Sequence, residues 1–212
     1  MDMDAIYVKQ LAVGPMQNFA YLAGGSAGRD CAVIDPGWDA ASILAAARKD
    51  GRTIRAVALT HGHFDHVRGV KDLLEQVPVP VFAHQGDVAA LREAFPAVRP
   101  LEDGDTVDAG GLELRCLHTP GHTPGSQCLL AQGQLFTGDT LFIDCCGRTD
   151  LPGSDPEAMH RSLRRLAALP AATVVWPGHD YGPCPSAPLS AVLGMNPYLA
   201  AATLREFLRL VA

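Results

Sequence analysis

The sequence predicts a layered α/β fold, and three observations carry that prediction. Apolar residues make up 48% of the 212-residue chain, with Val, Ile, Leu and Ala plentiful where aromatics are few, so material for one substantial core is present. Short apolar runs closed by Gly and Pro alternate with helical patterns as far as residue 95, the order that strand–helix–strand units require. Beyond Pro96 the texture changes to short strands joined by tight glycine turns. The chain is read as a single domain over residues 1–212, with no internal repeat.

Taken in order, residues 8–11 and 19–22 read as strands separated by Gly14-Pro15, and residues 31–35 as a third, closed by Pro36-Gly37. Asp39 has the side chain of an N-cap and opens an alanine-rich helix over 40–48, ending near Gly51. Residues 54–59 form an apolar strand with two alanines in it. A helix over 67–76, a strand over 79–83 and a helix over 86–95 follow. The meander comprises 106–109, 112–117, 126–131 and 134–137. A loop over 144–156 leads into a helix over 157–169 with arginines on its polar side. Residues 173–176 are a last strand, 178–188 a Pro/Gly-rich loop and 197–210 a closing helix.

Composition excludes several classes of function. A net charge of −6, with 17 basic residues scattered singly, argues against a nucleic-acid groove. No apolar stretch approaches the roughly 20 residues needed to span a bilayer. Met1-Asp2-Met3-Asp4 is acidic and lacks the basic-then-apolar order of a signal peptide, so a cytoplasmic location is expected. The six cysteines show no C-x-x-C spacing. Cys31, Cys116 and Cys128 lie in apolar runs and are read as core, while the adjacent Cys145-Cys146 pair is a candidate for a functional or redox-sensitive role.

The chemistry concentrates at Leu59-Thr60-His61-Gly62-His63-Phe64-Asp65-His66, where three of the eight histidines and a carboxylate fall directly after a buried strand. His61 and His63, two apart, suit an extended backbone, and His66 suits the start of a helix. Neutral imidazoles and carboxylates coordinate zinc and comparable ions near neutral pH. His122 in Pro120-Gly121-His122, Asp139 in Gly138-Asp139 and His179 in Pro177-Gly178-His179 repeat the setting: a strand, a glycine, then a candidate ligand. Five histidines and two aspartates exceed one tetrahedral ion and fit two ions bridged by a carboxylate and a water. His118 is a candidate support for this region, and His84 and His160 are read as structural or surface residues.

These residues resemble the signature of the metallo-β-lactamase superfamily over nearly the whole chain. The resemblance implies an αββα sandwich, two mixed β-sheets flanked by helices, with metals at the edge where the sheets meet. It implies that His61, His63 and His122 hold one ion and that Asp65, His66 and His179 hold a second, with Asp139 bridging. Two divalent ions per chain are expected, zinc ahead of iron or manganese. The bridging Asp139 and Pro177-Gly178-His179-Asp180-Tyr181 are similar to the glyoxalase II branch, which hydrolyses thioesters such as S-D-lactoylglutathione. Asp65 then has a catalytic role in orienting water. Arg148 is a candidate for buttressing the metal loop through an internal Arg-Thr-Asp network or for contacting substrate, and Tyr181 and Cys146 are candidates for lining the pocket. Larger glyoxalase II enzymes continue into a helical region with basic residues for glutathione, whereas this sequence ends at Ala212. That recognition surface is expected to be missing or replaced, as in the short bacterial enzymes, which the stretches from Gly147 to Gly153 and from Asn196 to Leu199 also resemble.

The persulfide dioxygenases of the same superfamily are the close rival. They share the histidine stretch and the Cys146-Gly147-Arg148-Thr149-Asp150 segment, and would use His61, His122 and Asp139 for a single Fe(II) that oxidises glutathione persulfide. A non-catalytic metal-binding or interaction module stands as a third reading, although structural zinc sites usually close a four-ligand shell, often with cysteine. Under the leading reading the partner is a small-molecule thioester, with no nucleic acid and no membrane, and the oligomeric state is open between monomer and homodimer.

Overall fold

Two six-stranded sheets pack face to face, each with helices on its outer side. The computed structural model describes residues 6–212, so the acidic Met1-Asp2-Met3-Asp4 start lies outside the described residues. The first sheet has the order β1 (Ile6–Val13), β2 (Asn18–Gly25), β3 (Asp30–Ile34), β4 (Thr53–Ala58), β5 (Val81–His84) and β6 (Arg99–Leu101). Its first three strands are antiparallel, and β3 through β6 run parallel. The second sheet is β7 (Thr106–Asp108), β8 (Glu113–His118), β9 (Gln127–Ala131), β10 (Gln134–Gly138), β11 (Val174–Pro177) and β12 (Ala187–Pro188), in sequential order. There β10 and β11 are the parallel pair. Both sheets are therefore mixed, and the layering is αββα.

The two-residue period of a strand explains why the buried runs are continuous rather than alternating. In β3, Cys31 and Val33 face the helices while Ala32 and Ile34 face the other sheet. In β4, Val57 and then Leu59 face the helices, and Ala56 and Ala58 enter the inter-sheet core. Across from them stand Leu114, Cys116, Leu129 and Phe136, so the small alanines leave room for the larger residues opposite. The outer layer of the first sheet is α1 (Ala40–Lys49), α3 (Val70–Gln76) and α4 (Gln85–Leu91), which bury Ile43, Val70, Leu73 and Val88. Asp39 caps α1 by accepting from Ser42 N–H, as expected. The other outer layer is α5 (Pro156–Ala167), α6 (Leu189–Met195), α7 (Pro197–Ala200) and α8 (Leu204–Val211), with Met159, Leu163, Val192 and Phe207 buried against the second sheet.

The structure corrects three of the helices read from the sequence. The helix expected over 67–76 begins earlier, as α2 (Phe64–Val67), and restarts at α3 after Gly69, whose missing Cβ lets Pro36 O approach to within 2.5 Å of where that atom would sit. The helix expected over 86–95 stops at Leu91. The closing helix is two: α7 ends at Ala200, and Thr203 opens α8 with a reciprocal capping box to Glu206. Strands β6 and β12 escaped the sequence reading, because two or three residues carry no period and their formation depends on a neighbouring strand; the seven-residue helix α6 escaped it too. Cys31, Cys116 and Cys128 are buried, and all six cysteines are free thiols. No helix among the described residues is long and apolar enough to cross a membrane.

Candidate metal centre

Strand ends from both sheets converge at one edge of the sandwich. His61 and His63 follow β4, Asp65 and His66 lie in α2, His122 follows β8, Asp139 follows β10 and His179 follows β11. The sheets are tied together at that edge. Phe19 N–H donates to Gly178 O at 2.8 Å, Gln127 N–H to Thr60 O at 2.9 Å, and the Gln127 side chain to Leu59 O at 2.7 Å. Gly178 is required here, since a Cβ on it would lie 2.5 Å from Asp139 Oδ1.

All seven sequence-predicted ligands come together. One nitrogen each from His61, His63 and His122 lie within 4.8 Å of one another, and Asp65, His66 and His179 form a second cluster within the same limit. Asp139 stands between them, 3.5 Å from His122 Nε2, 3.2 Å from His66 Nε2 and 3.4 Å from His179 Nε2. Ligand atoms of Asp35, His61 and His66 also lie within 4.8 Å of one another. Asp35, however, is fully engaged on the far side of the rings, so it acts as a brace. Three buried atoms of the cage, His61 Nε2, His122 Nε2 and Asp139 Oδ1, have no hydrogen-bond partner. Each such atom costs about 1–3 kcal/mol if left unpaired in an interior. Divalent ions would satisfy them, and an imidazole–carboxylate donor set suits zinc or iron. The two clusters are those of a binuclear centre.

The rings are held with Nε2 inward by bonds at Nδ1. His122 Nδ1 donates to Arg148 O and His179 Nδ1 to Met16 O, both at 2.9 Å. His66 Nδ1 lies 3.0 Å from Asp35 Oδ2. Thr60 donates its hydroxyl to the same oxygen at 2.5 Å and is left to accept from His61 Nδ1 at 3.1 Å. Such tethers set the tautomer that frees Nε2 to coordinate. His63, partly exposed at the rim, has no such tether among the described residues.

Opposite charges face one another inside the cage. Burial would raise the Asp65 carboxyl, but a bond from His179, the positive field of His66 and a bond from Asn18 together hold it at about 2. Burial would lower His66 and His179, yet Asp139 with Asp35 keeps His66 well above its ordinary range, and Asp139 with Asp65 brings His179 to about 9. His61 is pushed well below its ordinary value by burial and by His66. An ion coordinated at His66 and His179 would displace the protons that these carboxylates favour there.

A cavity of about 540 Å³ opens over the cage, with Met16, Phe64, Phe142, Leu151 and Tyr181 among its walls. Tyr181 stacks on His179, with ring centroids 4.5 Å apart and planes 11° from parallel. Cys145 and Cys146 also line it, but burial raises their thiols to about 11 and 12, so neither is a thiolate at neutral pH. Arg148 departs from the expected internal network: its guanidinium pairs with Asp150 at the surface, both about two-thirds exposed, and the buttress to His122 is the Arg148 backbone carbonyl. His118 lies outside the cage. Its ring stacks on buried His84 at 3.7 Å and its Nε2 donates to Pro124 O, propping the His122 loop from behind. His160 is buried against Phe207.

Three polar residues of the site were not singled out in the sequence. Asp35, in the left-handed region at φ 48°, also accepts from Thr60 N–H at 2.7 Å. Asn18 donates to Asp65 Oδ2 at 2.9 Å and accepts from Trp38 Nε1 at 2.9 Å. Asp87 accepts from Gly62 N–H, Thr123 Oγ1 and Gly125 N–H, at 2.7–2.8 Å, and so ties the His61 and His122 loops together. Asp35 left one legible signal, an acid at the end of an apolar strand just before Pro36-Gly37. Asn18 and Asp87 left none.

A family model described as the metallo-β-lactamase superfamily matches residues 13–179. The hydroxyacylglutathione hydrolase of Alkalilimnicola ehrlichii is 44% identical over 167 residues, which is 77% of this chain and 62% of that protein. The chain thus spans about three fifths of that relative's length. The crystal structure of ETHE1 from Myxococcus xanthus superposes with a TM-score of 0.84 at 29% identity, over 97% of this chain and 89% of that one. TTHA1623, solved in a di-iron-bound form, superposes with a TM-score of 0.79 at 37% identity, over 90% of this chain and all of that one.

Proposed function

This chain belongs to the metallo-β-lactamase superfamily, and from that premise we infer a metal-dependent hydrolase that cleaves a thioester, with a hydroxyacylglutathione such as S-D-lactoylglutathione as its substrate. The observation that carries the reading is the set of unpartnered buried atoms, His61 Nε2, His122 Nε2 and Asp139 Oδ1, beneath a cavity that reaches the donors. A purely structural ion would instead be enclosed by its ligands. Identity to a hydroxyacylglutathione hydrolase supports the thioester, and likeness to a di-iron-bound structure supports two ions.

In this reading His61, His63 and His122 hold one ion, Asp65, His66 and His179 the other, and Asp139 bridges. When bound, the ions supply an acidified water and a Lewis acid for the carbonyl. The Asp65 carboxylate, ionised throughout the neutral range, accepts a hydrogen bond from the attacking water and orients it. Asn18 and, behind it, Trp38 hold that carboxylate in place. Phe142 and Leu151 present apolar wall to the acyl group and limit bulk water. A thiolate leaves with a pKa of about 8.5, so no strong general acid is required.

Metal identity and stoichiometry in anaerobically purified protein, followed by assay of a panel of glutathione thioesters, test the reading. Two ions per chain and thioester turnover are expected. One iron per chain, no thioester turnover and oxygen consumption with glutathione persulfide would replace the hydrolase by the dioxygenase, working through His61, His122 and Asp139.

A further inference from the structure

The three histidines of the first cluster come from two loops, and one side chain outside the cage holds both. His61 and His63 flank Gly62 beyond β4, whereas His122 follows β8. Their rings meet with centroids 4.5–5.0 Å apart. Asp87 supplies the shared acceptors. Its Oδ2 receives Gly62 N–H at 2.8 Å and the Thr123 hydroxyl at 2.7 Å, and its Oδ1 receives Gly125 N–H at 2.7 Å. Thr123, having given its proton to Asp87, accepts from Ser126 Oγ at 2.9 Å, and Ser126 Oγ accepts from Thr123 N–H at 3.0 Å. The His122 loop is thereby closed on itself before it is tied to the other.

Asp87 is the third residue of α4, a position where an acid ordinarily serves the N–H groups of its own helix start. None of its three bonds does so; His84 caps α4 instead, accepting from Gly86 N–H through Nδ1 at 3.2 Å. The carboxylate is buried, at 6% exposure, and the chain around it is cut to fit. A Cβ on Gly125 would lie 2.3 Å from Asp87 N, and one on Gly86 would lie 2.7 Å from Pro124 O. The second cluster is braced elsewhere, by Asn18 at Asp65, Asp35 at His66 and Met16 O at His179.

We propose that Asp87 is a positioning residue for one metal position only. By fixing the His61–His63 loop against the His122 loop, it sets the affinity of the site those histidines form and not that of the Asp65–His66–His179 site. The inference rests on the two-ion reading and is independent of the substrate. A ligand on a loop free to shift must be ordered and re-aimed at each binding event, which costs affinity. Asp87→Asn keeps the volume but leaves one accepting oxygen. With that oxygen on Gly125 N–H, the NH2 group faces Gly62 N–H; turned to Gly62, it faces Gly125 N–H. Either way one loop loses its bond.

The test reads zinc affinity, by competition with a chromophoric chelator, in two backgrounds. His179→Ala leaves the three-histidine site complete, and His122→Ala leaves the other. Adding Asp87→Asn is expected to weaken zinc about tenfold in the His179→Ala background and by less than about twofold in the His122→Ala background. Unchanged affinity in the His179→Ala background would overturn the proposal. Equal losses in both backgrounds would overturn it too, since Asp87 would then support the fold at large. Thr123→Val removes one of the three bonds and keeps the shape, so it should give about a threefold loss confined to the His179→Ala background. If Asp87→Asn does not fold, that variant decides: a confined loss supports the proposal and no loss overturns it. A wild type that takes up a single ion refutes the two-ion reading by itself. Weakening of that ion by Asp87→Asn still supports the proposal where His122→Ala abolishes it, and an ion abolished by His179→Ala alone, or no ion at all, overturns it.

Discussion

Asp35→Asn changes the polarity of one buried carboxylate whose oxygens are engaged by Thr60 and His66. The asparagine fits the same volume and tolerates the left-handed backbone at φ 48°. Its oxygen can still accept from Thr60 N–H, now made by Asp35 Oδ1 at 2.7 Å. Its NH2 group then faces His66 Nδ1, where Asp35 Oδ2 accepts at 3.0 Å. Two donors cannot bond, so the imidazole must take the other tautomer and place its proton on Nε2. That nitrogen lies 3.1 Å from His179 Nε2 and 3.2 Å from Asp139 Oδ1, inside the second cluster. Loss of such an outer bond typically weakens a metal 10–100-fold, which corresponds to about 1.4–2.7 kcal/mol. The ion held by Asp65, His66 and His179 should weaken by that factor. The His61–His63–His122 ion should change less: Thr60 loses Oδ2 as the acceptor of its hydroxyl, but its Oγ1 can still accept from His61 Nδ1. Competition of the loaded protein against a chromophoric chelator resolves the two steps. Wild-type affinity at both steps, with an unchanged melting temperature, would refute the assignment of Asp35 as the group that sets the His66 tautomer.

Replacing His122 or His61 by Ala should abolish turnover and lower bound metal, whereas Asp139→Ala should weaken both ions; full occupancy with retained activity in either histidine variant would sink the ligand assignment. Affinity for the second ion should rise with pH up to about 9, by up to about tenfold per pH unit for each proton expelled, because His66 and His179 hold protons that the ion displaces; proton release on loading, followed with an indicator dye at pH 7, measures it. The same raised values mean that the metal-free protein has this stabilisation in full below about pH 6.5 and loses it as pH climbs through about 9. A metal-free melting temperature that increases across that interval would contradict the charge balance described for the cage. Gly178→Ala should displace the Asp139 carboxylate, with a Cβ 2.5 Å from Oδ1, and metal analysis should find fewer than two ions per chain while circular dichroism stays native.

The helix–strand alternation up to β5 and the meander from β7 to β10 were legible because each segment carries its own period. The boundaries that moved did so where a neighbour decides. Helix α2 starts at Phe64, where the chain leaves the extended conformation of His63 at the cage, and β6 exists because β5 offers it a ladder. Within the site, the ligands were legible and their supports were not. His61, His122, Asp139 and His179 each sit beyond an apolar run, in three cases with a glycine just before them, and that is a local pattern. Asp87 reads as one more polar residue on a helix until Gly62 and Gly125 arrive from two other segments.

The sequence by itself determined which side chains gather at the candidate centre and that they emerge at strand ends, since ligand chemistry and strand termination are properties of a few adjacent residues. Only the tertiary structure decided how they are aimed. Asp35 reaches His66 across 31 positions, Met16 O reaches His179 across 163, and Arg148 supports His122 with its carbonyl while its charge turns away to Asp150. Orientation of an imidazole depends on what lies at its other nitrogen, and in this fold that partner is supplied by chain remote in sequence.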